Sequence, residues 1–104
     1  MRRRLEKSIE KACKRWAQQR GWWVAKFKSP GKRSAPDDVF AKYGRHPYVE
    51  FKAEDEVATE NQELYHAEMR KAGLEVYVID SVEDFKALFL RIEKEIAHLA
   101  WMYD

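Results

Sequence analysis

The chain has 104 residues, 45% of them hydrophobic and 13% aromatic, with 20 basic and 18 acidic side chains. That apolar content excludes a disordered chain and suits one domain with one core, expected to fill residues 1–104 with its main body over about 4–89 and an extension over about 90–104. No apolar run nears the roughly 20 residues of a bilayer span, the basic start Met1-Arg2-Arg3-Arg4 leads into charged residues, and Cys13 has no partner, so neither membrane nor signal peptide is expected and the setting is read as reduced and cytoplasmic.

Residues 4–20 read as an amphipathic helix, because Leu5, Ile9, Ala12, Cys13, Trp16 and Ala17 recur at spacings of three and four. Gly21 follows and suits a left-handed cap. The aromatic and β-branched stretch 22–28 reads as a strand. Ser29-Pro30-Gly31-Lys32-Arg33-Ser34 reads as a loop. Residues 38–43 and 48–53 read as two strands of a hairpin, with the turn over Gly44-Arg45-His46-Pro47 and Gly44 opposite Pro47. Thr59 is expected to cap a second helix that ends at Gly73, with Gln62 in the capping-box position. Residues 74–79 read as a fourth strand. Ser81 caps a last helix along Phe85, Leu88, Phe89, Ile92, Ile96 and Leu99, about 22 residues and roughly 33 Å long. Its tail, with Trp101, Met102 and Tyr103, is expected to overhang the core and meet a second subunit; folding back is the alternative. The order is αβββαβα.

Charge is divided unevenly along this order. Residues 1–33 hold twelve Lys and Arg against Glu6 and Glu10, a net +10, while residues 34–104 hold eight basic and sixteen acidic side chains, a net −8. A clustered cationic third is the footprint of a nucleic-acid binder, because neutralised phosphates release counterions; a solvated basic helix would look the same.

Glu50 and Lys52 lie two apart on one strand and so share a face, with Val49 and Phe51 turned to the core. The hairpin pairing brings Asp37 onto the Glu50 face and turns Asp38 away, whereas a one-residue bulge would exchange the two. Two carboxylates and an ammonium on one sheet face suit magnesium, which needs hard oxygen ligands and keeps waters for a substrate phosphate. His46, His66 and His98 lack metal-pair spacing, and one cysteine cannot build a zinc site.

Pro36-Asp37 followed by Glu50-Phe51-Lys52, within αβββαβ, resembles the PD-(D/E)xK nuclease superfamily. More narrowly, the chain resembles the stand-alone VRR-NUC nucleases of bacteria and phages, through Ile9-Glu10, Gly21, Lys26-Phe27, Ser29 to Arg33, Pro36-Asp37, Val49 to Lys52, Gln62 and Gly73. The family usually has Gly-Val before Pro-Asp where this chain has Ser34-Ala35, a change near the loop that removes no ligand.

The resemblance implies an α/β, restriction-endonuclease-like fold: a central mixed sheet flanked by helices, plus a C-terminal helix. It implies a Mg2+-dependent DNA endonuclease in which Mn2+ substitutes. Glu10, Asp37, Glu50 and the carbonyl of Phe51 would hold metal, Lys52 would serve the water, and Gln62 would support the site. Glu6, one turn before Glu10, is the competing ligand. Lys26, Lys28, Lys32 and Arg33 are candidate phosphate contacts. Branched DNA, of Holliday-junction or flap type, and a homodimer are the expected partners. The alternative is a non-catalytic nucleic-acid-binding module that keeps the fold.

Overall fold

A computed structural model describes residues 4–29, 31 and 34–104. Among these the order is α1 (Glu6–Gln19), β1 (Trp23–Lys26), β2 (Asp38–Ala41), β3 (Tyr48–Phe51), α2 (Glu60–Lys71), β4 (Val76–Ile79), α3 (Val82–Ile96), a 3-10 turn (Ala97–Leu99) and α4 (Ala100–Tyr103). The strands form one sheet in the order β1-β2-β3-β4, antiparallel except for the parallel pair β3-β4. This is the expected α/β class with a mixed sheet.

Side-chain alternation assigns the two faces. Phe40, Val49, Phe51 and Ile79 turn to one side and pack with Ile9, Cys13 and Ala17 of α1 and Phe85, Leu88, Phe89 and Ile92 of α3. Phe40, Phe85 and Phe89 form the aromatic centre, with ring centroids 4.0–5.3 Å apart. Burial of this continuous apolar cluster is the main force holding α1 and α3 on the sheet. α2 packs on β4 from the opposite face, burying Met69 and His66.

The helix ends follow the sequence signals. Trp22 N–H bonds Ala17 O, Gly21 N–H bonds Gln18 O, and Gly21 sits at φ +87°, which is a Schellman closure needing the left-handed conformation. Thr59 and Gln62 form a reciprocal capping box at α2, and Ser81 accepts from Asp84 N–H at α3.

The β2–β3 turn corrects the expected register. Lys42 and Arg45 exchange both backbone hydrogen bonds at 2.9 Å, leaving Tyr43 (φ 49°) and Gly44 (φ 82°) as a two-residue loop. Positive φ at both loop positions gives the primed turn that matches strand twist. Asp38 therefore pairs with Val49 and Val39 with Tyr48, not Val39 with Lys52 or Ala41 with Glu50. The slip is four residues, an even number, so every side chain keeps its predicted face.

The last helix is also corrected. Regular α-helix stops at Ile96, and the 3-10 turn redirects the chain. Tyr103 then stacks on Tyr43 at 5.7 Å, and Tyr43 Oη donates to Asp104 at 2.7 Å. The tail folds back on the hairpin turn, yet Trp101 (80% exposed) and Met102 still face outward. Among the described residues no helix is long and apolar enough to cross a membrane.

Candidate active site

Asp37 lies just before β2 and Glu50 within β3, and both fall on the sheet face opposite the main core. Asp37 N–H bonds Val49 O at 3.1 Å, and the Asp37 carboxylate accepts Phe51 N–H at 2.7 Å, so the acid is fixed at both ends. Glu6 opens α1, whose start is tied to the segment after β3 by Glu54 N–H to Arg4 O at 3.1 Å. The result is a cluster in which one carboxylate oxygen from each of Glu6, Asp37 and Glu50 lies within 4.8 Å of the others.

The cluster is electrostatically crowded. Glu50 is 3% exposed, and its Oε1 has no hydrogen-bond partner. Burial, reinforced by the Asp37 charge, pushes the Glu50 carboxyl up to about 8. Burial and Asp37 also raise Glu6 above the usual carboxylate range. Three crowded acids are a donor set suited to a hard divalent cation, whose charge relieves their burial and mutual repulsion. Lys52, 9% exposed, is two residues beyond Glu50 and on its face.

Phe51 is placed consistently with a donor role for its carbonyl. Lys52 N–H is given to Ile79 O at 2.9 Å on the β4 side. The intervening peptide is trans and planar, so the Phe51 carbonyl points the opposite way, towards the Asp37 side.

Glu10 is not part of the cluster; of the two α1 acids, it is Glu6 whose carboxylate lies with those of Asp37 and Glu50. Glu10 Oε2 accepts from Lys26 Nζ at 2.6 Å, on the core face of the sheet. There it joins Asp38, which is fully buried and 3.3 Å from Lys14 Nζ. Burial and the neighbouring Glu10 push Asp38 up to about 7. Burial alone would raise Glu10 too, but the neighbouring Asp38 carboxyl and the hydrogen bond from Lys26 prevail and lower it. One turn of α1 thus separates a cation-ready acid from one already paired with lysines. Asp38 faces away from the cluster, as the alternation predicts.

Lys26 is engaged by Glu10, and Lys28 is exposed. Lys32 and Arg33 lie outside the described residues. Gln62 spends its side-chain oxygen on Thr59 N–H at 2.9 Å, closing the capping box.

One site neighbour goes unremarked among the scattered histidines of the sequence. His66 of α2 is 1% exposed, and its Nε2 lies 3.7 Å from Glu50 Oε1. Burial, with the charges of Arg70 and Lys52, lowers its pKa and favours the neutral ring. Its sequence signal is the i, i+3 relation to Met69 on the buried side of α2. His66 also lines a cleft of about 560 Å³ whose walls include Val57, Glu63, Arg70, Val78 and Asp80.

No protein-family model matches the chain. It is 39% identical over 82 residues to a protein of Acyrthosiphon pisum secondary endosymbiont phage 1 named "Putative nuclease p44", covering 78% of this chain and 88% of that one. A solved structure titled "VRR_NUC domain" superposes with a TM-score of 0.74 at 27% identity, covering 81% of this chain and 92% of that one. Together with the acid cluster's place on the sheet, these likenesses assign the chain: it belongs to the VRR-NUC nuclease family, of the phage type.

Proposed function

We propose that the chain is a divalent-metal-dependent endonuclease that hydrolyses DNA phosphodiester bonds. Convergence of one carboxylate oxygen from each of Glu6, Asp37 and Glu50 to within 4.8 Å of the others is the observation that carries the reading. These three acids, with the Phe51 carbonyl, are the donors for Mg2+, and Mn2+ fits the same oxygen set. A bound ion supplies positive charge to the scissile phosphate and makes its water more acidic. Asp37, anchored by Phe51 N–H, holds its carboxylate in place before any ligand arrives. That preorganisation spares reorganisation during the reaction. Lys52 sets an ammonium beside Glu50, where it offsets phosphate charge and orients the attacking water. Gln62 is assigned the part of anchoring the start of α2 behind the site.

DNA as substrate follows from the charge layout. Lys7, Lys11 and Arg15 are exposed, on the side of α1 away from Ile9, Cys13 and Ala17. This cationic face starts one residue after Glu6, so a phosphate backbone lying along α1 leads into the acid cluster. Lys28 extends the same charge at β1. Branched DNA of the Holliday-junction or flap type is the preferred substrate in this reading, because a homodimer presents two such sites to two strands.

Linear duplex, flap, splayed and four-way DNA, incubated with Mg2+ or Mn2+, provide the test. Cleavage is expected with either ion, most on the branched forms, and none with chelator. Glu50→Ala is expected to lower cutting by at least about a thousandfold while leaving DNA affinity within about threefold. DNA binding without cutting of any form in either ion would replace this reading with a non-catalytic binding module.

A further inference from the structure

His66 is placed with unusual firmness for a side chain in no predicted motif. The capping box of Thr59 and Gln62 fixes the start of α2, and His66 follows one turn after Gln62. Met69, buried on the same side, holds that turn against the sheet. The imidazole thereby meets the face that carries Glu50. His66 Nε2 and Glu50 Oε1 are 3.7 Å apart, each inside a residue no more than 3% exposed, and neither atom has a hydrogen-bond partner.

A separation of 3.7 Å is too long for a hydrogen bond and shorter than the roughly 5 Å that a bridging water would span. Two buried polar atoms aimed at each other without contact are a costly arrangement, closed by a small movement of either side chain. The imidazole is not itself among the atoms grouped within 4.8 Å, which come from Glu6, Asp37 and Glu50 alone among the described residues.

We propose that His66 is a positioning residue for Glu50. Its Nε2–H donates to Oε1 of the carboxylate and leaves the second oxygen for the divalent cation. The role rests on the metal-site reading above and adds to it the group that orients the most buried acid. Partners of this kind, which hold a ligand without touching the metal, typically change metal affinity by about 10–100-fold when removed.

Manganese alone, titrated calorimetrically into the full chain, tests the proposal without DNA. His66→Leu is expected to weaken Mn2+ binding about 10–100-fold. His66→Gln, which retains an N–H donor, is expected to recover most of that loss. In cleavage assays the Leu variant should keep the wild-type KM for DNA, lose kcat at low Mn2+ and regain it at high Mn2+. A residue that only fills space would lower the melting temperature and leave Mn2+ affinity unchanged, and that result overturns the role. Should His66→Leu fail to fold, His66→Met replaces it with the same expectations. Wild-type protein that binds no Mn2+ overturns the metal site and the His66 role together; wild type and His66→Leu binding equally well overturns the His66 role alone.

Discussion

Glu6 and Glu10 show how much chemistry one helical turn can separate. Both lie on the sheetward side of α1, about 40° apart at 100° per residue, so periodicity alone cannot choose between them. The choice is made by where α1 begins relative to the strand ends, a tertiary fact tied to the Glu54–Arg4 backbone bond. Glu6 consequently joins Asp37 and Glu50, and Glu10 is held by Lys26 and shares its neighbourhood with Asp38. Glu6→Gln is therefore expected to reduce Mg2+-dependent cleavage about a hundredfold or more, whereas Glu10→Gln should stay within about tenfold of wild type. Steady-state cleavage of one branched substrate by both variants checks this, and a larger loss for Glu10→Gln would refute the assignment. Asp37, Glu50 and Lys52, by contrast, are legible from the sequence. Their common face depends only on strand parity, which survives the four-residue error in register. His66 is not legible, since a buried histidine near Met69 reads equally well as core.

At the scale of elements, the hairpin between β2 and β3 governs where Asp37 stands against Glu50. Its turn is legible as a turn but not as to type, because Tyr43 takes a positive φ that its side chain does not advertise. What pins the turn is distant in sequence. Arg45 donates from Nη2 to Glu75 Oε1 at 2.7 Å and from Nη1 to Glu95 Oε2 at 2.8 Å, joining the hairpin to β4 and α3. The Arg45 hydrogen bond holds the Glu75 carboxyl below the usual carboxylate range. A depressed folded-state pKa contributes stability that is present above the unfolded value near 4.5 and lost as pH falls through the folded one. Glu75→Gln should therefore cost about 1 kcal/mol near pH 7, or about 4–8 °C in melting temperature, with the gap to wild type closing as pH falls below about 4.5. Thermal melts across that pH range measure it, and a gap that widens towards acid would contradict the ion-pair account. The third helix shows the opposite limit of sequence reading. Its apolar stripe and Ser81 cap are plain, yet the 3-10 break is not, and beyond it Tyr103 stacks on Tyr43, a contact between residues sixty positions apart.

Across the whole molecule, charge and apolar surface are segregated. The cationic face of α1 lies on the core-helix side of the sheet. The cleft beside His66 has Glu63 and Asp80 in its walls, and α2 carries two acids in its first turn. A polyanion is therefore drawn to one side of the acid cluster rather than to all sides. The tail adds an apolar feature at the hairpin turn, where Trp101 and Met102 remain 80% and 55% exposed. Exposed Trp and Met of this kind suit the centre of an interface, and the proposed homodimer is placed there. Light scattering with size exclusion should give a dimer at micromolar concentration. Trp101→Glu should weaken it by roughly 30-fold, equivalent to about 2 kcal/mol. A wild-type monomer under those conditions would remove the dimer and the two-site argument for branched DNA, leaving the acid cluster unaffected.

The convergence of Glu6, Asp37 and Glu50 on one divalent cation is tested most directly by diffraction from crystals soaked in Mn2+, using the metal's anomalous signal. The account predicts a peak about 2 Å from a carboxylate oxygen of each of the three acids, and its loss in Glu50→Gln. A peak lodged instead between Glu10 and Asp38, or no ordered manganese near Glu50, would contradict it.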